Sequence, residues 1–168
     1  PLTSLLPGKT TTLTATPSAS TGGTLSVAWL YNNNPLAISG NLYVADVEKL
    51  GTYQVLIQES WPGGLVCSNQ SPVVTINATP SDKVFIFPSP NDGRFSVSYY
   101  NGTGSSVDRQ ILIYDSKGDQ VYSRKFSVSG GPYTLVKIDM RAANTGIYYV
   151  VVGDAAGNKL AEGKVHIR

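Results

Sequence analysis

The chain has 168 residues, of which 14% are charged, with a net charge of +2 and only one cysteine and one histidine. A single cysteine, Cys67, excludes an intrachain disulfide, and a single histidine, His166, two residues from the end, argues against Ser/His/Asp or Cys/His catalysis and against a zinc site. No stretch approaches the roughly 20 apolar residues that a membrane-spanning helix needs.

Charge is distributed unequally along the chain. Residues 1–82 carry two bases against four acids, a net charge of −2, whereas residues 83–168 carry eleven bases against seven acids, a net charge of +4. The basic charges are scattered rather than clustered, which disfavours a nucleic-acid-binding patch. The sequence therefore predicts no nucleic-acid partner, no cofactor, no metal site and no enzymatic activity.

The first half reads as short strands separated by turn residues. Alternating patterns over 10–15 and 25–31, a shorter pattern at 42–44 and an apolar run over 53–57 predict strands. Residues 73–76 supply a last strand before a polar, proline-containing linker that begins at Asn77. Trp29 in a mid-chain strand and Tyr53 at the start of a later one are typical of an immunoglobulin-type sandwich.

Short motifs in this half, Trp29-Leu30-Tyr31-Asn32 and Gly51-Thr52-Tyr53-Gln54-Val55 among them, resemble the Ig-like repeats of large secreted bacterial surface proteins. In many of those repeats the late cysteine has a partner before the second strand. Here that region reads Leu6-Pro7-Gly8-Lys9-Thr10, so Cys67 is expected to have no partner.

Trp61 lies in the loop Ser60-Trp61-Pro62-Gly63-Gly64 and admits two interpretations. An exposed ring could stack on a sugar, with Tyr31 or Tyr43 as further stacking rings, which would make this half a carbohydrate-binding or adhesive module. The favoured interpretation is a ring at a hairpin tip that folds back over the end of the sandwich.

The second half is organised around the run Gly146-Ile147-Tyr148-Tyr149-Val150-Val151-Val152. Both faces of this strand are apolar or aromatic, which predicts a central strand with neighbours on both sides and both faces covered. Further strands are predicted at 83–87, 94–99, 110–114, 119–126, 134–138 and 159–167. Asp115 is expected to bond the backbone across the turn at 115–118.

Four blocks of this half resemble, in order, the C-terminal sorting domains of the type IX secretion system of Bacteroidetes. They span residues 87–97, 113–121, 145–152 and 164–168. The positions that carry the family pattern are Pro88, Pro90, Gly93, Asp115, Gly118, Gly146 and Tyr148. Ser89 departs from it, because the family usually has asparagine between the two prolines.

The resemblance implies an export signal in the form of a folded domain, recognised by the outer-membrane translocon and removed by a surface sortase, after which the cargo is released or attached to anionic lipopolysaccharide. It places recognition on the terminal strand, Lys164, Val165, His166, Ile167 and Arg168, and cleavage around Thr79–Lys83. We therefore expect an all-β chain of two consecutive antiparallel Ig-like sandwiches: a spacer domain at 1–79 and a sorting domain at 80–168. Since the chain begins at Pro1 without methionine or signal peptide, we expect it to be the C-terminal region of a larger secreted protein whose cargo lies upstream.

Overall fold

The computed structural model describes residues 1–18, 22–102, 106–128 and 131–168. It divides into two compact units, Pro1–Thr79 (unit 1) and Pro80–Arg168 (unit 2). Each unit has its own buried apolar cluster between two sheets. The predicted all-β fold is therefore confirmed.

Within the described residues, unit 1 contains eight strands. They are β1 (Ser4–Leu5), β2 (Thr11–Thr14), β3 (Thr24–Tyr31), β4 (Asn34–Pro35), β5 (Leu42–Ala45), β6 (Gly51–Ser60), β7 (Val66–Gln70) and β8 (Val74–Ala78). One sheet has the order β1-β8-β6-β3-β4, with β7 also paired to β6, and β2 pairs with β5 in the other. The sequence predicted antiparallel pairing, and all of these pairings are antiparallel except that of β1 with β8, which is parallel. The predictions missed β1, β4 and β7, because two of these are only two residues long and β7 has no apolar alternation.

The core of unit 1 forms around Trp29 on β3 and Tyr53 on β6, which are 2% and 1% exposed. Leu13 and Ala45, from β2 and β5, close this core from the opposite sheet. The Trp29 indole donates a hydrogen bond to the Gly40 carbonyl at 3.0 Å. The buried indole N–H is thereby satisfied, as a ring this deep in a core requires.

Unit 2 has seven strands among its described residues. They are β9 (Phe85–Phe87), β10 (Arg94–Tyr100), β11 (Val107–Tyr114), β12 (Gln120–Val128), β13 (Tyr133–Asp139), β14 (Gly146–Asp154) and β15 (Lys159–Ile167). A three-stranded sheet, β13-β10-β9, packs against a four-stranded sheet, β12-β11-β14-β15. The predicted strand set is thus present, with ends that differ by a few residues.

Strand β14 lies between β11 and β15, as its sequence predicts. Tyr148, Val150 and Val152 face the core and are at most 6% exposed. The expectation that both faces are covered is wrong, since Ile147 and Tyr149 on the other face are 52% and 42% exposed. Apolar residues on both faces do not require two covered faces, because a sandwich covers only the inner side of each sheet.

Candidate functional site

The terminal strand β15 pairs along one side with β14, from Lys159 opposite Gly153 to Ile167 opposite Gly146. Val165 and Ile167 point into the core and are 1% and 3% exposed. Lys164 and His166 alternate with them and are exposed. This alternation anchors the strand by its apolar side chains and leaves its polar side chains on the solvent face.

Asn91, which follows the two-proline motif, holds the end of β15 in place. Its backbone N–H donates to the His166 carbonyl at 3.0 Å, and its carbonyl accepts from the Arg168 N–H at 2.9 Å. Its side-chain amide donates to the Pro88 carbonyl and accepts from the Gly93 N–H, at 2.9 and 2.8 Å. These four hydrogen bonds, called the Asn91 clamp below, satisfy a polar residue that is only 8% exposed.

The rest of the first motif shapes the same clamp. The Phe87–Pro88 and Ser89–Pro90 peptide bonds are both cis, where the sequence predicted a simply extended segment. Ser89, which departs from the family pattern, accepts a hydrogen bond from the His166 N–H at 3.2 Å. Gly93 has φ of +94°, and a Cβ there would lie 2.7 Å from the Arg141 Cα, so both conformation and space require glycine.

The middle of β15 remains open at its outer edge. The N–H and carbonyl of His166 both point away from β14, since they bond Ser89 and Asn91. In an antiparallel ladder this orientation recurs at every second residue, so the backbone groups of Lys164 and Glu162 point the same way. Within the described part of the chain, these outward groups have no hydrogen-bond partner.

An exposed patch of mixed character lies beside this open edge. The Lys164 Nζ lies 5.2 Å from the centroid of the Tyr149 ring, within the range of a cation–π contact. Tyr149 is directly opposite Lys164 on β14, and Ile147 is opposite His166. We call Ile147, Tyr149, Lys164, His166 and Arg168 the terminal-strand surface.

The remaining motif residues form turns at the end of unit 2. Asp115 Oδ1 accepts from the N–H groups of Lys117 and Asp119, at 2.8 and 3.0 Å, and Gly118 has φ of +92°. Asp115 therefore bonds the backbone across its turn, as the sequence predicts. The Tyr148 hydroxyl donates to the Asn144 carbonyl at 2.7 Å.

Asp115 and Tyr148 come together in one shallow pocket, which Asp139 also lines. Arg141 bonds Asp139 through its side chain, with an Nη2–Oδ2 distance of 2.7 Å, and this contact lowers the pKa of Asp139 to about 2. The carboxylate of Asp115 is thus held by backbone N–H groups of its turn, and that of Asp139 by arginine. No group of three or more metal-ligating side chains occurs among the residues that the structure describes.

The candidate stacking rings of unit 1 do not form a common platform. Tyr31 and Tyr43 pack on Tyr53 with ring centroids 5.1 and 5.2 Å apart, and the Tyr31 hydroxyl donates to the Leu50 carbonyl. Both rings are partly buried against the core cluster of unit 1, and a role for either of them in stacking on a sugar stays a prediction. Trp61 lies half-buried in the turn between β6 and β7, apart from that cluster, and Cys67 is exposed on β7.

Across the described ranges, no helix has the length and apolar character required to cross a membrane.

Residues 85–166 match the family model described as "Secretion system C-terminal sorting domain". No curated protein sequence matches the chain. Similar solved structures include the FN1-FN3 domains of chicken CNTN1 (16% identity, TM-score 0.37, covering 96% of this chain and 63% of that one). Dimeric latent PorU from Porphyromonas gingivalis is another (16% identity, TM-score 0.43, 90% of this chain and 16% of that one). The chain thus spans less than two thirds of either of these proteins.

Proposed function

We propose a recognition mechanism that starts from one premise: residues 85–166 form a secretion system C-terminal sorting domain. A domain of this family marks its protein for type IX export across the outer membrane, to the cell surface or the medium. In this chain, the outer-membrane translocon reads the terminal-strand surface and the open edge of β15. Residues 80–168 act as the signal domain and residues 1–79 as an Ig-like spacer.

The observation that carries this proposal is the open edge at Glu162 and Lys164 beside the exposed Tyr149 ring. Free backbone groups at a strand edge let a partner segment add as a further strand, and this pairing is independent of side-chain identity. Tyr149, Ile147 and the cationic side chains supply the side-chain selectivity. An amphipathic tyrosine flanked by cations is typical of an interaction surface.

The Asn91 clamp explains why such a signal benefits from being folded. The clamp and the buried Val165 and Ile167 fix the C-terminal end of the open segment, and the buried Ala161, paired with Val152 on β14, fixes its other end. A partner that pairs with this edge then loses less conformational entropy than it would with a disordered tail. The prolines and glycine of the first motif thus act through β15, without touching the translocon.

The test is export of a reporter fused to the N-terminus of the full chain, in a host that has a type IX system. Lys164→Glu reverses the charge beside Tyr149 and removes the cation–π contact, and we expect the exported fraction to fall about tenfold or more. Lys125→Glu is the matched control, since Lys125 is exposed on the same sheet but on β12, at the opposite edge. Normal export of Lys164→Glu, or an equal loss in both variants, would contradict recognition at β15.

For processing, we propose that a surface sortase cleaves within Thr79–Lys83, between the two units. Pro80, Asp82 and Lys83 are exposed there, which makes the backbone accessible. Attachment of the cargo to anionic lipopolysaccharide would follow. Mass spectrometry of the exported reporter should find a new C-terminus between residues 79 and 83, and an intact Arg168 terminus on the surface would contradict cleavage.

A further inference from the structure

Strand β7 of unit 1 is an edge strand whose outward hydrogen-bonding groups are open. The Trp61 N–H donates to the Leu65 carbonyl at 3.0 Å, and the Ser71 N–H donates to the Val55 carbonyl at 2.9 Å. These bonds fix the alternation of the β6–β7 ladder, so residues 65, 67, 69 and 71 face β6. The backbone groups of Val66, Ser68 and Gln70 therefore face away from the sheet.

Of those outward groups, the Gln70 N–H is bonded to the Asn69 side-chain oxygen at 2.8 Å. In the part of unit 1 that the structure describes, the N–H and carbonyl of Val66 and Ser68 and the carbonyl of Gln70 have no partner. All five residues of β7 are exposed. The ends of the strand are flanked by exposed apolar residues, since Leu65 and Val73 are 64% and 54% exposed.

Strand β7 itself carries no charge and no proline that would oppose pairing, and the nearest prolines, Pro62 and Pro72, lie outside it. Residues 60–81 contain no acidic residue, lysine, arginine or histidine. Natural edge strands are usually protected by inward-pointing charges, prolines or a covering segment. The edge of β15 differs, because the Asn91 clamp covers its end and its open middle carries the charged residues Glu162 and Lys164.

We propose that β7 is a self-association surface that pairs antiparallel with β7 of a second copy of this chain, about a two-fold axis at Ser68. In such a pair each Ser68 exchanges both backbone hydrogen bonds with its counterpart, and each Val66 lies opposite Gln70 of the other copy. The lack of charge favours a second copy as the partner. A two-fold axis brings the same strand of both copies side by side, so a net charge on β7 would repel its counterpart, and the uncharged strand avoids that repulsion.

The pairing produces a weak dimer. A single five-residue strand and its flanking apolar side chains bury less than the 1,200–2,000 Å² or so of a standard stable interface. Self-association therefore appears only towards high protein concentration. It also depends on the number of chains held close together, as on a crowded cell surface.

Sedimentation equilibrium of the full chain, over a concentration series with a reducing agent, tests the proposal. The wild type is expected to show a monomer–dimer equilibrium, and Ser68→Lys should weaken it about tenfold or more, because the two lysines would lie side by side. Ser26→Lys is the control, since Ser26 is exposed in the same row of the same sheet, on β3, two strands away from β7. A wild type that stays monomeric throughout, or equal dimerisation of wild type and Ser68→Lys, would overturn it.

Disulfide trapping tests the register separately and does not depend on the folding of a charged variant. With the axis at Ser68, Cys67 lies opposite residue 69 of the other copy in a non-hydrogen-bonded pair, at a distance that suits a disulfide. Asn69→Cys should therefore form linked dimers rapidly with oxidised glutathione, which takes up the two electrons as it is reduced to glutathione. Gln70→Cys, one residue further on and on the opposite face, should not, and equal rates for the two variants would refute this pairing.

Discussion

Each unit contains a tyrosine whose hydroxyl bonds a carbonyl four residues upstream, an arrangement called a tyrosine corner. The two corners differ in the backbone conformation of the glycine that lies two residues before the tyrosine. The Tyr53 hydroxyl donates to the Lys49 carbonyl, and the Tyr148 hydroxyl to the Asn144 carbonyl at 2.7 Å. The glycine two residues before Tyr53, Gly51, has φ of +148°, whereas the backbone of Gly146 is not in the positive region. The same sequence pattern thus produces the same hydrogen bond through two backbone conformations.

The two units also differ in how an edge strand ends. The end of β15 is fixed by the Asn91 clamp, whereas the outer edge of β7 has no equivalent in the described part of unit 1. The comparison indicates that the shared sandwich architecture does not itself cover the edge strands, and that loops specific to each unit decide whether an edge is protected from pairing. In unit 2 the first motif protects the end of β15 only, and the middle of that strand's outer edge stays open.

The largest effect is expected from breaking the clamp. Asn91→Ala removes both side-chain hydrogen bonds and leaves the Pro88 carbonyl and the Gly93 N–H without partners, which should lower the free energy of unfolding of unit 2 by about 2–3 kcal/mol. Both tryptophans, Trp29 and Trp61, lie in unit 1, so a fall in the denaturation midpoint by circular dichroism should leave the tryptophan fluorescence transition unchanged.

Asp92→Ala is the neighbouring control for this prediction. The Asp92 side chain accepts one exposed hydrogen bond, from the Arg94 N–H at 3.1 Å. Its loss should lower the free energy of unfolding by well under half of the amount expected for Asn91→Ala. If Asn91→Ala lowers the free energy of unfolding no more than Asp92→Ala does, the clamp does not stabilise unit 2 as we infer.

The difference between the two glycines gives the next prediction. A Cβ at Gly51 would lie 2.4 Å from Asn32 Oδ1, which accepts a hydrogen bond from the Thr52 N–H. Gly51→Ala should therefore destabilise unit 1 by about 1–2 kcal/mol, through the disfavoured φ and the displaced Asn32. At Gly146 the nearest atom, Tyr148 Cε2, is 3.9 Å from the added Cβ, so Gly146→Ala should change the free energy of unfolding by no more than about 0.5 kcal/mol.

These two variants are measured by urea denaturation, with tryptophan fluorescence for unit 1 and circular dichroism for the whole chain. Similar costs at the two positions would show that the corners are equivalent after all.

Removing each corner hydroxyl should have a smaller effect. Tyr53→Phe and Tyr148→Phe keep the aromatic rings but leave the Lys49 or Asn144 carbonyl without its donor. Each variant should lower the free energy of unfolding of its unit by about 1 kcal/mol. Urea denaturation, followed by tryptophan fluorescence for unit 1 and circular dichroism for the whole chain, measures both variants. Equal falls in the free energy of unfolding of the two units would show that the hydrogen bond contributes equally in both. A loss in only one unit would mean that the other corner is maintained by ring packing alone.

The smallest effect concerns acid stability. The Arg141 contact lowers the pKa of Asp139 to about 2, below the value of about 3.9 for an unfolded chain. The carboxylate thus contributes stability above about pH 4, and this contribution is lost as the pH falls towards 2. Asp139→Asn should make the decline of unit 2 over that range slightly shallower in an acid titration by circular dichroism, and because the pair is exposed the change should be small.

Local patterns were sufficient to predict the strands that carry alternation or continuous apolar runs. Trp29, Tyr53 and Tyr148 were placed correctly in strands because large rings must be buried and their polar atoms bonded. The short strands β1 and β4 and the uncharged β7 were missed, since their pairing depends on partners far away in sequence. The functional role of the terminal strand came from the family resemblance and stays a prediction.

By itself, the sequence determined the all-β class, the placement of Tyr53 and Tyr148 in strands, and the turns at Asp115 and Gly93. Each follows from the alternation of side chains along a strand or from the backbone conformations that a residue can adopt. Only the tertiary structure decided that Asn91 holds β15, that Ile147 and Tyr149 are exposed, and that β7 has an open edge. These features depend on which segments, distant in sequence, lie side by side in the fold. Alternation with a period of two predicts which residues share a face of a strand, but it does not predict whether another segment covers that face.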